Sequence, residues 1–125
     1  MQLTNEQISN LSSRELMNKL DEIRQLAIKS GSDWAFLQGK YKRLKEMMPS
    51  FLAEFQRIYF KPGSTISEAR MMALSDPNYK DKLEEMVNAE REANMEEVRY
   101  RSSIESIKAI SAISYLRNQE AKLSR

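Results

Sequence analysis

The sequence of 125 residues has no cysteine and no histidine, and only three glycines and three prolines. Without cysteine there is no disulfide framework, thiol nucleophile or thiolate metal site. Without histidine there is no imidazole base and no usual zinc or copper ligand set. No Gly-rich phosphate loop, Walker sequence or paired acidic metal motif is present either. Adjacent acids such as Glu84-Glu85 and Glu96-Glu97 project about 100° apart on a helix and do not converge on a substrate. The expectation is a protein that is not an enzyme, with no cofactor, no metal and no small-molecule substrate. No run approaches 18 uncharged apolar residues, and Met1-Gln2-Leu3-Thr4-Asn5-Glu6 lacks the basic and apolar regions of a signal peptide. A soluble chain in the cytoplasm is therefore expected, with no membrane partner.

So few glycines and prolines cannot punctuate a many-stranded sheet, and strong helix formers dominate. The fold class expected is all-α: N-terminal helices packed as a hairpin or bundle, plus one long C-terminal helix. Thr4 to Gln7 and Ser12 to Glu15 match capping boxes, with Leu3–Ile8 and Leu11–Leu16 as hydrophobic staples. A helix from about Ser13 to Lys29 carries Leu16, Leu20, Ile23 and Ala27 on one side, and Gly31 is its expected stop. A second helix shows Trp34, Leu37, Tyr41, Leu44, Met48, Leu52, Phe55 and Tyr59 at steps of three and four, all on one face. Pro49 falls outside that stripe and is expected to kink the helix, while Lys61-Pro62-Gly63 ends it.

Thr65-Ile66-Ser67-Glu68 is another capping box, and Asp76-Pro77 supplies an N-cap followed by proline in the first helical position. No glycine or proline follows, so one helix of about 45 residues is expected. At roughly 65–70 Å it is too long for a compact domain of this size. The chain divides into an N-terminal helical hairpin over residues 1–62, with a basic second helix, and a short helix plus the long C-terminal helix over 63–125, forming one structural unit.

Within the last helix Ile104, Ile107, Ile110, Ile113 and Leu116 recur every third residue, so the apolar band drifts by about 60° per step. A band that wide needs cover on more than one side. These five residues are the candidate oligomer interface; the alternative is that helices of the same chain cover them. Net charge is +2, but residues 36–62 carry +4, 76–100 carry −4 and 101–125 carry +3. Lys42, Arg43, Arg57 and Lys61 lie opposite the apolar stripe of the second helix, Lys40 and Lys45 flank it, and Glu46 and Glu54 interrupt the ridge. Phe36 lies off the stripe, about 40° from Lys40 and 20° from Arg43. An aromatic face beside cations is what single-stranded nucleic acid needs, so Phe36, Lys40, Lys42, Arg43, Arg57 and Lys61 are the candidate contacts. The alternative is that Phe36 packs under the first helix and the ridge is ordinary solvated charge. The −4 and +3 blocks are also candidates to pair neighbouring copies.

Ala73-Leu74-Ser75-Asp76-Pro77-Asn78-Tyr79, followed by Leu83, Ala89, Ala93, Arg99 and Ser114-Tyr115-Leu116-Arg117, resembles small helical bacteriophage proteins that assist recombination. The layout over roughly residues 35–120 is similar to the UvsY-type recombination mediators. That resemblance implies a ring-forming homo-oligomer that binds single-stranded DNA and helps load a recombinase onto strands covered by single-strand-binding protein. The acidic first half of the last helix departs from what a DNA-binding surface requires. Two other classes fit the same features: a helical virion or assembly adaptor that touches no nucleic acid, and a small phage inhibitor of a host defence protein.

Overall fold

The computed structural model describes residues 4–124. All the regular structure among them is α-helical: α1 (Asn5–Ser9), α2 (Ser13–Tyr59), α3 (Ile66–Ser75) and α4 (Pro77–Leu123). The helix starts are those that local chemistry dictates. Thr4 accepts from the Gln7 N–H at 3.2 Å, and the Gln7 side chain accepts from the Thr4 N–H at 2.9 Å. Thr65 and Glu68 repeat this reciprocal cap at α3. At α2 only half of the box forms. Ser12 accepts from the Glu15 N–H, but the Glu15 carboxylate takes its bond from the Ser12 hydroxyl rather than the backbone. Asp76 caps α4, its Oδ1 accepting from the Asn78 N–H at 2.7 Å. Leu3, half of the staple expected at α1, lies outside the described residues.

The expected turn at Gly31 is absent, because α2 runs unbroken for 47 residues. A Cβ at Gly31 would sit 3.2 Å from two ring carbons of Tyr100, so this glycine admits an aromatic ring against the helix rather than ending it. The two expected stripes are therefore one stripe. Leu16, Leu20, Ile23, Ala27, Ser30, Trp34, Leu37 and Tyr41 keep steps of three and four, with Ser30 buried at the junction. The partner of α2's first half is consequently α4, and α2 does not fold back on itself at Gly31. Pro49 is exposed inside the continuous α2. The helix does end as expected before Lys61-Pro62-Gly63, where Gly63 takes φ 88°, a left-handed conformation open to glycine at little cost.

The chain forms two packed units, one from Met1–Trp34 with Asn94–Arg125 and the other from Ala35–Ala93. In the first unit Ile8, Leu16, Leu20, Ile23 and Ile110 form a buried cluster, with Leu11, Ile107, Ala109 and Ile113 packed against it. Helix α1 has five residues, too few to persist alone, and it is held by Ile8, which is fully buried. Ser30, Ser103 and Ser106 are also buried here, and the Ser103 hydroxyl donates to the Arg99 carbonyl. In the second unit the buried apolar residues are Leu44, Met48, Ala69, Ala73, Ala89 and Ala93. Phe55 meets Tyr79 edge-on at 6.4 Å, and the Tyr59 hydroxyl donates to Asp76.

Candidate nucleic-acid interface

The expected contacts all fall in the second unit, on α2 or just beyond it. Phe36 is 67% exposed, so the alternative in which it packs under another helix does not hold. Lys42, Arg43, Arg57 and Lys61 are exposed and Lys40 is half-buried. Helical geometry joins Phe36, Lys40 and Arg43 into one short stripe, since residues four and seven apart share a face. Lys42 lies about 120° round from Phe36 and Arg57 about 60°, some 21 Å further along than Arg43. Lys61 follows the helix end. The six residues are thus a three-residue cluster with three outliers. Sequence reasoning left out Met47 and Ile58, 48% and 67% exposed, which continue the stripe at the same phase. The angular arithmetic that placed Phe36 places them too.

Among the described residues none of Lys40, Lys42, Arg43, Arg57 and Lys61 makes an ion pair. Four of the eight cations of α4 differ: Lys82 pairs with Glu85, Arg99 with Glu96, Arg101 with Glu97 and Lys108 with Glu105, all one turn away on the same helix. The basic segment of α2 also packs beside an acidic one. Within this unit α4 contributes Asp81, Glu84, Glu85, Glu90 and Glu92 against three basic residues. The +4 block of α2 and part of the −4 block of α4 therefore lie side by side within one unit. Contact between the two helices runs through tyrosines. The Tyr41 hydroxyl's hydrogen bond to Glu90 raises its pKa above the usual value, with burial and the carboxylate's charge adding to the effect. Tyr59 is raised in the same way by Asp76, whose own pKa is lowered chiefly by that bond and further by backbone N–H groups of Asn78 and Tyr79. Lys45 lies over the Tyr41 ring at 5.8 Å and Lys82 over Phe51 at 5.4 Å.

The five residues expected at an oligomer interface separate. Ile110 is fully buried in the first unit's own core, so it is not free for a second chain. Ile107 and Ile113 pack partly against that core, Ile104 is half-buried and Leu116 is 59% exposed. The drift of the band explains the split: at about 60° per step the five residues cannot all face the same neighbour, and Ile110 is the one at the centre of the core. Chain-internal packing thus accounts for the middle of the band and one side of it.

No helix among the described residues is long and apolar enough to cross a membrane, and no cluster of three or more acidic side chains there is placed to hold a metal ion. Comparison with protein-family models, curated proteins and solved structures finds no match for this chain.

Proposed function

We propose that this protein is a non-enzymatic accessory factor of DNA recombination or replication, of the phage mediator kind, which self-associates and binds single-stranded DNA along α2 of the second unit. The observation that carries the reading is a contrast in pairing: among the described residues Lys40 and Arg43, beside exposed Phe36, make no ion pair, whereas four of the eight cations of α4 are held by acids one turn away. Free cations neutralise phosphates without first breaking an internal bond, and an exposed ring offers a stacking face to any base. Recombinase or single-strand-binding protein remains the expected protein partner in this reading. Titration of a labelled oligonucleotide at low and moderate salt tests it. Affinity should fall steeply with salt, and Lys40→Glu with Arg43→Glu should abolish binding while leaving the helix content unchanged. Salt-independent binding, or none, would overturn the proposal.

A second reading has its own support. Ile58, Phe60, Ile66, Met71 and Met72 are each more than half exposed around the link between α2 and α3. Residues of that link, including Tyr59, Met71 and Met72, line a groove of about 420 Å³. Apolar surface of this kind marks protein docking. In an adaptor or assembly protein this end carries the function and the basic stripe carries none, an outcome the same titration reveals.

A further inference from the structure

The first unit has an apolar flank that its own chain leaves open. A groove of about 450 Å³ there is lined by Ile28, Tyr100, Ile104 and Ile107, with Arg24 and Ser32 as its polar members. Ile28 is 68% exposed. Along α4 the positions Tyr100, Ile104, Ile107 and Ser111 step by four, three and four, the spacing of a helix–helix seam. Elsewhere in the unit Ile8, Leu16, Leu20, Ile23 and Ile110 close into a core of their own. The open flank therefore has the form of a packing surface without its partner.

The charges beside the groove indicate what covers it. Along α4 they alternate: Glu97 negative, Arg101 positive, Glu105 negative, Lys108 positive. All four lie within about 80° of arc, next to Ile104. Reversing this helix about Ser103 puts Arg101 opposite Glu105 and brings Glu97 within one residue of Lys108. Antiparallel self-packing thus sets every charge against its opposite, whereas parallel packing sets each against its like. An order of signs that inverts on reversal is complementary to itself, as a two-fold interface requires. The net charge of the four is zero.

We infer that the Ile28–Tyr100–Ile104–Ile107 groove is one half of a two-fold contact in which α4 packs antiparallel against α4 of a second copy. This names the surface for the self-association included in the reading above and rests on that part of it. It makes no use of the basic stripe. Ile104 of each copy lies beside the two-fold axis and enters the other's groove, while the two i,i+4 and i,i+3 pairs, Arg101–Glu97 and Lys108–Glu105, become a four-charge rim shared by both chains.

Sedimentation equilibrium of the full chain without nucleic acid tests the inference. The wild type should sediment at twice the chain mass at micromolar concentration. Ile28→Arg, at an exposed position that leaves the core intact, should give a single chain mass with unchanged helix content. A chain carrying Arg101→Glu with Lys108→Glu should be monomeric, as should one carrying Glu97→Lys with Glu105→Lys, and an equal mixture of the two should restore the dimer. A monomeric wild type, an Ile28→Arg chain that remains dimeric, or a mixture that stays monomeric each overturns the inference. A dimer that binds no oligonucleotide would leave it standing and remove only the DNA-binding proposal.

Discussion

The two units pack by different chemistry. The first buries five large aliphatic side chains in one cluster, while the second buries two large apolar side chains and four alanines and relies on ring edges and tyrosine–carboxylate hydrogen bonds. Apolar burial does not titrate, and it is the dominant favourable term in folding. Polar bonds near the surface contribute less and titrate. The difference places robustness in the unit made from both chain ends. Local opening, and the cations proposed to meet DNA, belong to the unit made from the middle of the chain.

The largest expected effect comes from the first unit. Ile110→Ala removes a fully buried side chain from the core and should cost about 2–5 kcal/mol, read as a lowered midpoint in urea. An Ile110→Ala chain of unchanged stability would put the main core elsewhere. Gly31→Leu should come next, at about 1–3 kcal/mol, because its side chain must displace the Tyr100 ring, which also stacks 5.7 Å from Trp34. Indole fluorescence of Trp34, the only tryptophan, reports this directly.

Smaller effects sharpen the second unit. Asp76 has a lowered pKa in the folded state, so its contribution is present above the unfolded carboxylate value and is lost as pH falls through the folded one. Tyr59 and Tyr41 have raised pKa values, so theirs is present below the usual phenol value and is lost as pH rises through the folded one. Amide exchange in residues 35–93, corrected for intrinsic rates, should therefore quicken at both pH extremes. Protection in the first unit should change less, and equal loss in both would erase the distinction. Phe36→Ala should have the smallest effect on stability, within about 0.5 kcal/mol, since the ring is exposed. Its oligonucleotide affinity should nevertheless drop by about 1–3 kcal/mol if bases stack there.

The caps at Thr4, Thr65 and Asp76, the turn at Gly63 and the unbroken last helix were all legible, because each depends on a few neighbouring residues. Gly31 was not. A glycine after an apolar stripe has the same local form whether it stops a helix or admits a ring from 69 residues away, and only the unbroken phase through Ser30 distinguished the two. The packing face of α4 was obscured for a related reason. It uses Ala89, Ala93, Ser103 and Ser106, small residues that let helices approach closely but add little to a pattern read from Leu and Ile. In the candidate site, angular arithmetic placed Phe36, Lys40 and Arg43 together. It could not show that an acidic segment of the same chain packs beside them, because that depends on which helix is the neighbour.

The first unit's core also constrains the order of events on the ribosome. Ile8 and Ile110 belong to one cluster although about a hundred residues separate them, whereas Tyr59 and Asp76 are 17 positions apart. Closing the longer loop costs about 1.6 kcal/mol more in chain entropy. During synthesis Leu16, Leu20 and Ile23 emerge long before Ile110 exists to cover them, while the middle of the chain can already pair. The core of the first unit thus cannot close until Ile110 has been made, and until then Leu16, Leu20 and Ile23 lack the side chain that completes their cluster.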